Sequence, residues 1–269
     1  MPRLSQGVGC HVVSQDGQCA ADVPGADVAV FVATFPMPAG LVFDWHTHTD
    51  HQLAWAASGV LTVRSRDTAW VLPPTRALWI PAGVRHETLT AGAAATMQSL
   101  YLRPDLCPIT WTDPTPVRAS PLLAEIIGYL ADRRLSRERR ARAEAVLVDL
   151  LEPVAMATIE VRMPADLRAR AVADALRADP ADKRTLAEWG HEVGASERTL
   201  AREFAAGTGM TFGRWRTLVR LQAALPGLAA GQPVGALARR AGYESESAFV
   251  AAFRRETGWT PATYFVRQA

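Results

Sequence analysis

The chain is short of cysteine, of lysine and of long apolar runs. Of 269 residues only Cys10, Cys19 and Cys107 are cysteines, an odd number without metal-knuckle spacing, which argues against a disulfide scaffold and favours plain thiols over redox sensors. The most apolar window, Val28 to Phe43, is broken by Pro36, Pro38 and Gly40 and falls short of a membrane span. From Met1 to Gly17 no basic segment precedes an apolar stretch, so no secretory pattern is expected and a cytoplasmic protein is the expectation. Lys183 is the single lysine, and arginine carries the remaining side-chain positive charge. Arginine suits bidentate contact with guanine and phosphate, although biased coding DNA produces the same excess.

What is present is ordinary in bulk and uneven in detail. An apolar fraction of 49% with 21% charged residues fits a globular protein, and the length accommodates two domains. Residues 1–115 hold six arginines against nine carboxylates, a net charge of −3, whereas residues 183–269 hold twelve basic against seven acidic groups, a net of +5. A C-terminal half of that sign suits contact with phosphate, and a merely solvated face would look similar.

The C-terminal half contains an internal repeat. At an offset of 49 residues, Phe204 to Trp215 and Phe253 to Tyr264 share the Phe, the Thr-Gly pair, the following Thr and the closing aromatic. Upstream, Thr185 and Glu188 form a capping box before Leu186, Trp189 and Val193 at helical spacing. Gly194 and Gly242 stand where a helix must stop in a left-handed residue, and Ser196 and Ser245 can cap a second helix. Two short helices joined by such a turn make a helix-turn-helix, here twice. In each second helix Leu200/Phe204 and Phe249/Phe253 mark the core face. Opposite them lie Arg198, Thr199 and Arg202 in one copy, Ser247, Val250 and Arg254 in the other, as in a helix that enters a major groove.

These tandem units, with G-A-S-E-R-T-L-A-R-E-F and the closing A-G-Y-E-S-E-S-A-F-V-A-A-F-R-R-E-T-G-W-T-P-A-T-Y-F, resemble the DNA-binding domain of AraC/XylS transcription regulators over roughly residues 165 to 266. The resemblance implies seven helices, two helix-turn-helix motifs joined by a long helix, and recognition helices in successive major grooves. The DNA-reading residues expected are Ser196, Arg198, Thr199 and Arg202 in the first unit. In the second they are Glu246, Ser247 and Val250, with Arg254 and Arg255 on phosphate. The second helix is poor in base-reading donors, so the first unit is expected to carry most of the specificity.

From Val28 to about Leu102 the pattern is β. The runs Val28–Phe35, Gln52–Ala57, Val60–Arg64, Trp70–Leu72 and Met97–Leu102 are short and separated by turn residues, which suggests a small antiparallel barrel or jelly roll. Within it, G-x5-H-x-H-x3-Q-x6-G from Gly40 to Gly59 and P-A-G-V-R-H from Pro81 to His86 resemble the two cupin motifs. Three departures stand out: Gln52 replaces the acidic ligand, Thr75 replaces a leading Gly, and Thr90 replaces a final Asn.

On one continuous strand His46, His48, Asp50 and Gln52 would share a face, with His86 approaching from another strand. Three readings stay open. The residues His46, His48, Gln52 and His86 hold a divalent metal, with Zn, Fe, Mn and Ni undistinguished by imidazole ligands; or they bind a small polar effector without metal; or they are structural. His51 should face the other way, and His11 and His191 have no partners. Trp45, Trp55, Trp70 and Trp79 serve either an aromatic pocket or, more commonly, core and cover.

Between the halves, Ser120-Pro121 starts a helix with the stripe Leu122, Leu123, Ile126, Ile127 and Leu130. After the basic run Arg133 to Arg142 comes a second stripe, Val146, Leu147, Leu150 and Leu151. These stripes can bury against the barrel, against each other, or, as the family resemblance suggests, in a homodimer. Pro226-Gly227 is expected to break the helix Phe212 to Leu225, and Gly190 to weaken its own by about 1 kcal/mol.

The fold class expected is therefore α+β in two domains: a cupin-like β-barrel or jelly roll over 1–115, a helical connector over 116–163, and an all-α tandem helix-turn-helix domain over 164–269. The function expected is a regulator that binds double-stranded promoter DNA, works with RNA polymerase, answers to a small-molecule or metal effector, and has no membrane partner and no enzymatic role. A metal-dependent cupin enzyme fused to a DNA-binding domain is the alternative, weakened by Gln52, and a constitutive DNA-binding protein with a dimerising barrel is a third. The combination of H-x-H-x3-Q with E-S-E-S-A-F resembles one branch of the family that implies control of a neighbouring transport or metabolic gene.

Overall fold

The computed structural model describes residues 29–66, 68–90, 93–155, 159 and 161–265, and the protein divides into two units, the first chiefly of residues up to 156 and the second chiefly of residues from 157 onward. Cys10, Cys19 and His11 lie outside the described residues.

In the first unit the short alternating runs form nine strands among the described residues, arranged in two antiparallel sheets. The five-stranded sheet has the order β1 (Val30–Met37), β8 (Ala95–Leu102), β3 (His51–Ser58), β6 (Arg76–Ile80), β9 (Thr115–Arg118). The four-stranded sheet has the order β2 (Val42–His46), β7 (His86–Leu89), β4 (Leu61–Ser65), β5 (Thr68–Leu72). Strands β2, β6, β7 and β9 were absent from the runs singled out above. Of these, β6 reads RALWI, buried throughout, and so shows no alternation.

Strand alternation sorts the side chains into two cores. Met37, Ala54, Ala56, Leu61, Val63, Leu72, Leu78 and Met97 fill the space between the sheets, with Phe35, Phe43 and Val84 at its margin. The opposite face of the five-stranded sheet, with Leu53, Trp55, Trp79 and Leu100, is covered by two helices, α1 (Pro121–Leu130) and α2 (Arg137–Asp149). Helix α1 is capped by Ser120, whose hydroxyl accepts from the Leu123 N–H. Leu123, Ile127 and Leu130 of α1, and Ala143, Leu147 and Leu151 in and just beyond α2, bury against the sheet and against each other. Leu122, Tyr129 and Val146 stay exposed. Apart from Leu122 and Val146, the connector stripes therefore serve the first unit's own core.

The tryptophans follow this division. Trp55 and Trp79 lie under the helices, Trp70 lies between the sheets, and Trp45 is half-buried beneath the Arg85 guanidinium.

The second unit has seven helices among the described residues: α3 (Leu167–Ala178), α4 (Leu186–Val193), α5 (Glu197–Thr208), α6 (Phe212–Ala229), α7 (Val234–Arg240), α8 (Glu246–Thr257) and α9 (Pro261–Tyr264). The Thr185–Glu188 capping box forms, Gly194 and Gly242 adopt φ of 67° and 81°, and Ser196 and Ser245 cap α5 and α8. The repeat is visible in individual contacts. Thr208 donates to the Phe204 carbonyl and accepts from the Met210 N–H; Thr257 does the same with Phe253 and Trp259. Phe204 meets Trp215 at 5.1 Å between ring centroids, and Phe253 meets Tyr264 at 5.1 Å.

One local expectation is corrected, and another gains a packing reason. Helix α6 runs on through Pro226 to Ala229 instead of breaking. Proline removes one backbone donor but its φ is helical, and Gly227 behind it leaves room for the Leu237 side chain of α7. Gly190 is required by packing: a Cβ there would overlap the Ala195 carbonyl oxygen across the tight turn. The second copy's turn is longer by one residue, Glu244, and holds Ala238 at the equivalent place.

Candidate metal centre and nucleic-acid interface

The histidine cluster is assembled from neighbouring strands of the four-stranded sheet, which carry His46 and His86, and from the connection that carries His48. His46 ends β2, residues 47–50 cross over, and Gln52 lies in β3 of the other sheet. The expectation of one continuous strand presenting His46, His48, Asp50 and Gln52 on one face is therefore corrected. His46 is turned inward by a bulge: β2 pairs Phe43 with Thr88 and His46 with His86, three steps against two. Phe43 already faces the interior, so simple alternation would send His46 outward; the extra residue reverses it.

The result is three close imidazoles. Ring centroids of His46 and His86 are 4.3 Å apart, those of His48 and His86 5.0 Å, and those of His46 and His48 5.9 Å. Each ring is held by a carbonyl two residues away. The Nδ1 of His46 donates to Asp44 O at 2.6 Å, that of His48 to Asp50 O at 2.7 Å, and that of His86 to Val84 O at 2.9 Å. A carbonyl only accepts, so each Nδ1 carries the hydrogen, and in the neutral ring the lone pair is left on Nε2.

One potential ligand atom per ring lies within 4.8 Å of the others, and the His86 Nε2, on a side chain with no exposure, has no hydrogen-bond partner. Burial drives the His86 pKa down to about 3 and lowers that of His46, with the neighbouring rings adding to the effect. Neutral imidazoles oriented by a second hydrogen bond are the form that ligates metal, so these three histidines could hold an ion.

Gln52 sits beside the trio. Its carboxamide spans His48 Nε2 at 2.9 Å and Ser99 Oγ at 2.8 Å. The NH2 donates to Ser99 Oγ and the amide oxygen faces His48 Nε2; with the lone pair on that nitrogen, the flipped amide, NH2 toward His48 and oxygen accepting from the Ser99 hydroxyl, satisfies both contacts. His51 faces the other way, stacked on Trp79 at 4.9 Å. Of the motif departures, Thr90 has a clear role: its hydroxyl donates to Pro38 O at 2.7 Å and accepts from Leu41 N–H at 3.2 Å.

In the second unit the outer faces of α5 and α8 carry the residues singled out above. On α5, Arg198 and Arg202 are exposed. Ser196 is engaged as the cap, its hydroxyl 2.9 Å from Thr199 Oγ1, so neither hydroxyl is wholly free for DNA. A groove of about 980 Å³ along α8 is lined by Glu246, Ser247, Val250, Arg254 and Arg255, among others. The Glu246 carboxylate turns back onto Gly235 of α7. Glu256, its side chain 8% exposed, pairs with both Arg255 of α8 and Arg214 of α6, at 3.0 and 3.2 Å.

The family model "AraC-like ligand binding domain" matches residues 28–151, and "Helix-turn-helix domain" matches residues 189–267. The HTH-type transcriptional regulator NimR of Escherichia coli (strain K12) is 31% identical over 225 residues, 82% of either chain. The chain belongs to the AraC-like family of helix-turn-helix transcriptional regulators. This AraC-like chain is a DNA-binding transcription regulator with an N-terminal ligand-binding domain. A second relative, the HTH-type transcriptional regulator RipA of Corynebacterium glutamicum, is 40% identical over 106 residues, 39% of this chain and 32% of RipA. Among solved structures, ToxT from Vibrio cholerae is similar over 90% of this chain and 99% of its own, with 11% identity and a TM-score of 0.36. No helix among the described residues of the AraC-like regulator is long and apolar enough to cross a membrane.

Proposed function

We propose that the AraC-like regulator senses its effector at a divalent-metal site on His46, His48 and His86, and that occupancy of this site controls binding of the C-terminal unit to double-stranded promoter DNA. The observation that carries the reading is the common tautomer: the three Nδ1 hydrogens are committed to backbone carbonyls, which leaves the lone pairs on Nε2, in rings that each bring one nitrogen within 4.8 Å of the others. Imidazole donors suit Zn, Fe and Ni, and suit Mn less because it favours oxygen ligands. Once bound, such an ion supplies a Lewis-acidic point of attachment for a ligand; the chain's own part is to orient the rings and exclude water. This role is regulatory, and the protein is not an enzyme.

On DNA, Arg198, Thr199 and Arg202 read bases in one major groove, with Ser196 positioning the helix. In the next groove Ser247 and Val250 meet bases while Arg254 and Arg255 hold phosphate, and Glu246 stays with α7. Functionally the chain divides into a sensor over 1–115, a connector over 116–163 and a DNA-binding domain over 164–269. The exposed Leu122, Tyr129 and Val146 supply the contact of a homodimer. The protein works in the cytoplasm with RNA polymerase.

The test is elemental analysis of untagged full-length protein beside the His46→Ala/His48→Ala variant, with DNA affinity measured before and after chelation. Near-stoichiometric metal in the parent alone, with a change in DNA affinity on its removal, is expected. A folded parent that takes up no metal would refute the metal reading and leave an organic effector held by the same side chains.

A further inference from the structure

The charge of the candidate metal centre says what must accompany an ion there, an argument that rests on the metal reading proposed above. The donors are neutral: three imidazoles with their Nδ1 hydrogens engaged, and the Gln52 carboxamide beside them. Among the described residues no Asp, Glu or Cys joins the trio. The aspartates flanking it in sequence, Asp44 and Asp50, serve His46 and His48 through main-chain carbonyls, and the Asp44 carboxylate accepts from the Trp45 N–H at 3.2 Å instead.

The surroundings are largely buried. His48, His86 and Gln52 are 8%, 0% and 2% exposed, His46 is half-buried, and the apolar cluster around Met37, Leu78 and Met97 packs between the sheets. A divalent cation would keep its whole charge in this setting, and a buried charge persists only when it is paired. The acidic ligand of the cupin pattern would cancel part of it. Gln52 keeps nearly the same shape and removes the compensation.

We infer that this site binds its cation together with a small carboxylate or equivalent oxyanion, and that Gln52 is the residue that makes the anion necessary. The effector class is then a small organic acid recognised through the ion, with size limited by the filled interior. The anion and the ion strengthen each other's binding by the same factor, as linkage requires.

The test is a Co²⁺ titration of untagged full-length protein, followed by visible absorption in a non-coordinating buffer, with acetate, with its neutral isostere acetamide, or with neither. Acetate is expected to lower the Co²⁺ Kd by about tenfold or more, and acetamide to change it by less than about twofold. Gln52→Glu is expected to bind Co²⁺ tightly without acetate and to lose most of the acetate response. A wild-type Kd indifferent to acetate, or equally responsive to acetamide, overturns the inference, and neither comparison depends on the variant folding. Tight, acetate-indifferent Co²⁺ binding removes this inference alone. No Co²⁺ binding in any condition removes the metal reading with it.

Discussion

Arg202 on the first recognition helix is held by its neighbour Glu203, Nη2 to Oε1 at 2.9 Å, with the arginine side chain 72% exposed and the carboxylate 25%. Arg198, on the same outer face, has no ion-pair partner among the described residues. In the proposed DNA contact, Arg202 exchanges this carboxylate for a base edge or phosphate. Glu203→Gln should therefore strengthen binding to all sequences by a few-fold, since a repulsive charge and a competitor leave together. Arg202→Ala should lose about 1–3 kcal/mol of discrimination between a selected operator and scrambled DNA. Arg254→Ala should weaken both DNAs alike and reduce the salt slope by about 1. Anisotropy titrations at several salt concentrations measure all three, and equal loss of specificity from Arg202→Ala and Arg254→Ala would contradict the proposed division between the units.

Gly190→Ala separates propensity from packing. Helix propensity alone predicts a gain of about 1 kcal/mol. The Ala195 carbonyl occupies the space a Cβ needs, so a net loss of about 1–3 kcal/mol is expected instead. Urea unfolding followed in the helical unit decides the sign.

Glu144 ties α2 to the start of β1 by accepting from the Val30 N–H at 3.2 Å. Burial raises its pKa, against the opposing effect of that hydrogen bond. A carboxyl whose folded pKa lies above its unfolded value stabilises most below the unfolded value and loses that contribution as pH rises through the folded one. Glu144→Gln keeps an acceptor without the charge. It should flatten the decline in melting temperature of the first unit above the ordinary carboxylate range, and be at least as stable as wild type at pH 7. A variant with the wild-type pH slope would show that Glu144 does not contribute to it.

The connector helices offer a contrast between folding and assembly. Leu147 has no exposure within the core against the five-stranded sheet, and Leu147→Ala should cost about 2–5 kcal/mol. Val146, one residue earlier and 40% exposed, belongs to the proposed dimer surface. Val146→Asp should leave the melting temperature nearly unchanged and shift sedimentation towards monomer. If sedimentation is unaffected, the contact lies elsewhere.

How much could be read from the chain depended on the range of the interaction involved. Caps and stops act over three to five residues, so Thr185, Ser196, Gly194 and Gly242 announced themselves, and the second unit's helices followed. The short strands between turn residues were legible for the same reason, except where burial on both faces erased the alternation, as in β6.

The sequence by itself determined two domains, the tandem helix-turn-helix and the three histidines worth watching, because each is a matter of local spacing and residue type. The tertiary structure alone decided how those histidines meet. The bulge that turns His46 inward is a mismatch between β2 and β7, the carbonyls that set each tautomer depend on ring orientation, and the Ser99 hydroxyl that shares Gln52 comes from a strand 47 residues away. It also decided that the tight turn after α4 needs Gly190 and that most of the connector's apolar stripes, Leu122 and Val146 excepted, is buried inside its own unit. These outcomes come from contacts between segments distant in sequence, where steric fit and pairing register, not local preference, select the arrangement.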